Sequence, residues 1–114
     1  MSKKVLLIAP LSEEYSGVQN YGVPSIGVHR LSGFINANGH YAEVYDCNIH
    51  GSIDSYLKKE NWDIIGISIL NNTLRLSLEM FLRLEKECPD ALLISGNAEA
   101  IVNYSDIFDN CNCN

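Results

Sequence analysis

Two runs of this chain constrain its fold more than any other feature. Val5-Leu6-Leu7-Ile8-Ala9 and Ile64-Ile65-Gly66-Ile67-Ser68 are apolar or small at every position and show no alternation. A strand with one wet face alternates apolar and polar residues, so an unbroken β-rich run belongs to a strand covered on both faces. Tyr41 to Tyr45 and Ala91 to Ser95 read as two further strands, and Asp63 opens the third. Helical patterns fill the gaps. From Ile26 to Asn38 the residues Gly27, Leu31, Phe34 and Ile35 recur at helical spacing, and Gly39 is placed to cap the C-terminus. Ser52 can cap a short helix whose Ile53, Tyr56 and Leu57 share one face. Asn72 or Thr73 caps a third helix running to Glu87, with Leu74, Leu78, Phe81 and Leu82 toward the core and Arg75, Glu79, Arg83 and Lys86 toward water. Pro89 lies just past its end, and a last helical stretch spans Glu99 to Phe108.

A βαβαβαβα order with short connections gives, through right-handed crossovers, a parallel sheet with helices on both faces. The expected architecture is an α/β three-layer sandwich, flavodoxin-like (Rossmann-like), with strand order 2-1-3-4 and ligand chemistry at the carboxyl ends of strands one, three and four. The sequence stops where a fifth strand would begin, which leaves strand four at an edge that proteins cover or pair. Residues 1–114 are therefore expected to be a single domain, a fragment of a longer enzyme that associates with a neighbour or with itself through that edge.

One domain is what 114 residues allow. With 14 acidic against 8 basic side chains the formal charge is −6, and Lys3-Lys4, Lys58-Lys59, Arg75, Arg83 and Lys86 form no stripe, so nucleic acid is not an expected partner. No apolar run approaches the roughly 20 residues of a membrane span. Lys3 and Lys4 precede an apolar run as in a signal peptide, but Val5 to Ala9 is too short and Pro10 ends it without a cleavage site, so the expected location is cytoplasmic. Cys47, Cys88, Cys111 and Cys113 fit no zinc ribbon, CxxC redox motif or disulfide framework, and reduced thiols are expected.

Several site chemistries fail on a specific residue. Gly17-Val18-Gln19-Asn20-Tyr21-Gly22 has the glycine spacing of a P-loop, but Val23 and Pro24 stand where the phosphate Lys and the magnesium Ser/Thr are required. No GxGxxG follows the first strand, and Asp46, at the end of the second, is by itself thin support for ribose binding. A phospho-receiver could use Glu13 and Glu14, but Ser68-Ile69-Leu70 replaces its acceptor Asp. Ser12 and Ser16 offer only a sparse version of the hydroxyl-rich loop that holds a flavin phosphate. His29, His40 and His50 have no evident nucleophile beside them, so no catalytic residue is assigned.

A positive pattern emerges from the ordered set Val5-Leu6-Leu7-Ile8, Pro24-Ser25-Ile26-Gly27, Gly39-His40, Val44-Tyr45-Asp46, Asp63-Ile64-Ile65-Gly66-Ile67-Ser68, Pro89 and Ser95-Gly96. Over nearly the whole chain this set resembles the N-terminal cobalamin (vitamin B12)-binding domain of radical S-adenosylmethionine enzymes. That family carries Ser-x-Leu after strand three and Gly-Gly after strand four; Ser68-Ile69-Leu70 fits the first, and Ser95-Gly96 fits the second with one glycine replaced by a small residue. The resemblance implies that the nucleotide tail of cobalamin slides between the strands, where a small hydroxyl and a bare backbone are needed. It implies a tail pocket lined by Ser68, Leu70, Ser95 and Gly96, with Asn71, Asn72, Thr73 and Asn97 at its rim and Ser12 and Glu13 completing the cofactor-binding set.

One departure matters. Cobalamin-dependent mutases and methionine synthases carry Asp-x-His-x-x-Gly after strand one, and the His becomes the lower ligand of cobalt. Here the segment is Pro10-Leu11-Ser12-Glu13-Glu14-Tyr15-Ser16-Gly17, so a bound cobalamin is expected to have no histidine lower ligand. The CxxxCxxC of the radical enzymes is also absent, so no iron-sulfur cluster is expected in this chain and the catalytic barrel is expected C-terminal to it. Two readings follow: a cobalamin-binding module that is non-catalytic alone, or a flavodoxin-like interaction or structural domain without the cofactor, with flavin or nucleotide binding as a lesser variant.

Overall fold

The computed structural model describes residues 2–9, 26–46, 53–68 and 74–96, at 26 and 74–76 for the backbone alone. In chain order the elements are β1 (Lys4–Ala9), α1 (Ile26–Ala37), β2 (Tyr41–Asp46), α2 (Asp54–Lys59), β3 (Ile64–Ser68), α3 (Leu74–Glu87) and β4 (Leu92–Gly96). The four strands pair in parallel in the order β2-β1-β3-β4. This is the flavodoxin-like α/β arrangement expected from the unbroken apolar runs. The predicted stretch at 99–108 and the long segment at 10–25 lie outside the described residues.

Strand alternation divides the core between the two faces of the sheet. On one face Leu6, Ile8, Ile65, Ile67 and Leu93 pack against Phe81 and Leu84 of α3, with Trp62, Ile53 and the partly buried Tyr56 and Leu57 from around α2. On the other, Val5, Leu7, Ala9 and Ala42 pack under Val28 and Ile35 of α1. One helix lies on the first-crossover side and two on the opposite side, as right-handed crossovers require for this strand order.

Helix phase departs from the expected stripes. Leu82, expected in the core, is 53% exposed, whereas Ser77, Phe81 and Leu84 are fully buried. Positions i, i+4 and i+7 share a face, so burying those three turns Leu82 outward. In α1 the residues that meet the sheet are Val28 and Ile35, while Leu31 and Phe34 are 47% and 67% exposed. The N-cap position of α2 is Ile53, with no side-chain cap bond, rather than Ser52, which lies outside the described residues. Gly39 ends α1 in the left-handed region at φ 88°, the conformation that made glycine the expected residue there.

Side chains tie the strand starts and edges together. The Asp63 carboxylate accepts the Lys4 N–H at 2.8 Å, while the Asp63 N–H donates to the Lys4 carbonyl at 2.9 Å. The Leu92 N–H donates in turn to the Asp63 carbonyl, so one residue aligns β1, β3 and β4. His40 Nδ1 accepts the Lys3 N–H at 2.9 Å. Near the start of β2, Tyr41 stacks on the buried Trp62 with centroids 6.1 Å apart, and Trp62 Nε1 donates to the Tyr56 carbonyl at 2.8 Å. No helix among the described residues is long and apolar enough to cross a membrane.

Candidate functional site

The chain moves from β1 outward to β2 in one direction and to β3 and β4 in the other, so the sheet order reverses between β1 and β3. In open α/β sheets ligands bind at the carboxyl ends of the strands beside such a reversal. A cavity of about 270 Å³ opens there, on the side of the sheet that carries α1. Its floor is Leu7, Gly66 and Ile94, one residue from each of three neighbouring strands in mutual register. Gly27, Val28 and Leu31 of α1 form one wall, and Ser68 and Gly96, the last residues of β3 and β4, form the rim.

Glycine makes this space in two different ways. At Gly27 and Gly96, both exposed at the edge of the cavity, an added Cβ would meet nothing within 4 Å. At Gly66 an added Cβ would stand 3.2 Å from Leu7 Cδ2 and 3.3 Å from Ile94 Cγ1, so a side chain there would crowd both neighbours. None of the described lining residues is charged. The cavity therefore offers an apolar slot with a polar lip.

Of the residues nominated from sequence, Ser68, Ser95 and Gly96 line this one cavity. Their roles within it differ. Ser68 shares a strand face with Gly66 and thus with the α1 side, so its hydroxyl is on the cavity's side of the sheet. Ser95 pairs in register with Ile67, which belongs to the core under α3, so Ser95 meets the cavity through its backbone. Neither serine lacks a partner. Ser12, Glu13, Leu70, Asn71, Asn72, Thr73 and Asn97 lie outside the described residues.

Sequence reasoning missed Leu7, Gly66, Ile94 and Leu31 as lining residues. The signal was available in part: Gly27 and Leu31 are one helical turn apart, and Gly66 interrupts an otherwise β-branched strand, which often marks close backbone approach. The pairing of Leu7 with Gly66 and Ile94 needs the register, which the sequence does not contain.

Beside the cavity, at the carboxyl end of β2, the Asp46 side chain is fully buried and lies 3.7 Å from His29 Nε2, whose side chain is 40% exposed. Burial removes Asp46 from the part it would play in reading a ribose. A smaller cavity of about 160 Å³ lies at the opposite ends of the strands, among Glu60, Glu87, Cys88 and Asp90. Burial pushes the Cys88 thiol above its ordinary pKa, with Glu87 adding to the shift, which makes it a poor nucleophile. Among the described residues no group of three or more potential ligands is placed to hold a metal.

Searched against protein-family models the sequence matches none, and a search of curated proteins returns no relative. The functional reading therefore rests on the cavity and on the ordered motifs around it.

Proposed function

We propose that this chain is a cobalamin-binding module, non-catalytic alone, that presents the cofactor to a radical S-adenosylmethionine barrel supplied outside these residues. The observation that carries the reading is the cavity beside the β1/β3 reversal, with Ser68 and Gly96 at its rim. These are the positions at which a buried nucleotide tail requires a small hydroxyl and a bare backbone. The fit is supported by Gly27 and Gly96, which line the cavity without a side chain. At about 270 Å³ the cavity is below the 300–1,000 Å³ of a site for a whole drug-sized ligand. It suits one part of a large cofactor, with the remainder held above the strand ends.

When bound, cobalamin supplies a cobalt centre for methyl or radical transfer. The residues of this chain bind and orient it: the glycines leave room, Leu7, Val28 and Ile94 exclude water, and Ser68 presents a hydroxyl at the lip. A cytoplasmic location goes with this reading. Titration with hydroxocobalamin, followed by the visible spectrum and by thermal unfolding, is the test. Saturating ligand at 100 times Kd should stabilise the fold by about 2.7 kcal/mol. An unchanged spectrum together with an unchanged melting temperature overturns the reading.

A second reading is a cofactor-free interaction domain. It is favoured by Leu31, Phe34, Leu92 and Ile94, large apolar residues that stay 37–67% exposed on the α1 side of the sheet or of α1 itself. It predicts concentration-dependent self-association in sedimentation, with hydroxocobalamin leaving the spectrum unchanged.

A further inference from the structure

We propose that two copies of this chain meet through the α1 side of the sheet, in a like-for-like contact made by Leu31, Phe34, Leu92 and Ile94 that also closes the cavity. The four residues form one surface. Gly27, Leu31 and Phe34 recur at i, i+4 and i+7 and share a stripe of α1, and that stripe faces β3 and β4 because Gly27 and Leu31 line the cavity there. Leu92 and Ile94 pair in register with Ile64 and Gly66, whose strand face is the α1 side. All four apolar side chains are more than a third exposed. Among the described residues no helix covers β3 and β4 on this side, whereas α2 and α3 pack on the opposite face.

The distribution of charge selects a second copy as the occupant. The chain carries a formal charge of −6, so two copies repel over most of their surface. The described carboxylates are unevenly placed. Neither α1 nor β4 contains one. Glu43 shares its strand face with Leu6, on the α3 side, and the carboxylates of α2 and α3 belong to that side too. Asp63 and Asp90 stand at the strand starts. On the α1 side the described carboxylate is Asp46, which pairs in register with Ala9 and is fully buried. Two copies that meet here bury apolar surface without opposing exposed carboxylates. A like-for-like contact through α2 and α3 would instead gather Asp54, Glu79 and Glu85 of both copies. Because Leu31 and Ile94 belong both to the contact and to the cavity, the dimer covers the cavity, and a ligand must separate the copies to enter. The contact is compatible with either functional reading; the cobalamin spectrum, not the oligomeric state, separates those.

Sedimentation velocity of the full chain from about 10 µM to about 300 µM, at low and high salt, is the test. The sedimentation coefficient should rise with concentration to that of a dimer. It should rise more steeply in high salt, which screens the repulsion between two chains of charge −6 and leaves the apolar contact in place. Phe34→Glu and, on the other half of the contact, Leu92→Glu set carboxylates against each other. Each should raise the dimer dissociation constant by about tenfold or more, with an unchanged circular dichroism spectrum. Leu82→Glu, at an exposed position of α3, should leave that constant unchanged. On dilution the amide shifts of Gly66 and Gly96 should move together with those of Leu31 and Phe34. A monomer at every concentration, growth beyond the dimer, or a dimer that both contact variants leave intact overturns the contact. Shifts at Leu31 without shifts at Gly66 and Gly96, or a dimer that persists with hydroxocobalamin bound, overturn the closure of the cavity. If hydroxocobalamin does not bind, the cobalamin reading alone fails, and the contact is judged on sedimentation and shifts.

Discussion

Gly66 lies so close under Leu7 that a single added Cβ would come within 3.2 Å of its Cδ2 atom, and within 3.3 Å of Ile94 Cγ1 on the other side. Both neighbours are side-chain atoms: Ile94 is 37% exposed and can give by a few tenths of an ångström, whereas Leu7 is buried and must rotate its terminal methyl to do so. Gly66→Ala should therefore keep stability within about 1 kcal/mol of wild type, because reduced freedom in the unfolded chain offsets the crowding. It should nevertheless raise the cavity floor and weaken cobalamin binding by about tenfold or more. Gly66→Val adds two further methyl groups and should cost about 1–3 kcal/mol. Denaturant midpoints and a cobalamin titration on the same variants separate the two effects; an Ala variant that binds as wild type places the ligand elsewhere.

The outer edge of β2 is closed by a side chain. Asn36 of α1 donates from Nδ2 to the Ala42 carbonyl at 3.0 Å and accepts the Ala42 N–H on Oδ1 at 2.9 Å, so its amide stands in for the peptide of a neighbouring strand. Asn36→Leu keeps the volume and removes both bonds, leaving two backbone groups to find water. A loss of about 1–3 kcal/mol in urea unfolding is expected. Asn36→Asp keeps the acceptor and loses the donor, and should fall between the two.

Across the β2–α2 corner, Tyr41 and Lys59 both donate to the Glu43 carboxylate, Lys59 at 2.7 Å to Oε1. Burial pushes the Glu43 carboxyl up, but the bonds from Lys59 and Tyr41 outweigh it and hold the group below its ordinary 4.5. The same contacts raise Lys59 and Tyr41 above their ordinary 10.5 and 10.0, chiefly through the hydrogen bond to Glu43 in each case. A depressed carboxyl stabilises the fold above its unfolded value and loses that contribution as pH falls through the folded value. A raised phenol or ammonium does the opposite, losing its contribution as pH rises. The cluster's contribution is thus a plateau between about 4.5 and 10.0, falling off on both sides. The stability difference between wild type and Glu43→Gln, measured across pH, should follow that shape; a difference that does not change with pH removes the cluster from the account. Its size should be modest, as for other exposed ion pairs.

What the sequence makes legible here follows physical range. Unbroken runs such as Val5 to Ala9 and Ile64 to Ser68 identify strands buried on both faces, and the order of elements then leaves few topologies to choose from. Gly39 is readable as a C-cap because one residue's φ decides it. Helix phase is harder. Leu82 and Leu84 are equally apolar, and only the geometry of docking on Leu6 and Ile65 selects Leu84. The site is legible at Ser68 and Gly96, where strand ends coincide with small residues. It is not legible at Leu7 and Ile94, which join the cavity only because register aligns them with Gly66. Ser95 shows the limit most clearly: it is adjacent to Gly96 in sequence, yet alternation sends its side chain to the opposite face of the sheet.

Ser77 poses a different question. It sits in α3 on the face that carries Phe81 and Leu84, its side chain is fully buried, and its Oγ has no hydrogen-bond partner among the described residues. A hydroxyl removed from water without a partner costs about 1–3 kcal/mol. Alanine also has the higher helix propensity, by up to about 0.5 kcal/mol. Against these stands the small void left by one oxygen atom, which a neighbouring side chain can largely fill. Ser77→Ala is therefore expected to stabilise the fold by about 1 kcal/mol, read as a higher denaturant midpoint with an unchanged slope. Ser77→Val keeps the site apolar but adds volume against Phe81 and should lose part of that gain. Destabilisation by the alanine variant would mean that the hydroxyl is satisfied in solution. A buried water would then be its partner, and, because Ser77 faces the side of the sheet opposite the cavity, saturating hydroxocobalamin should leave the alanine effect unchanged.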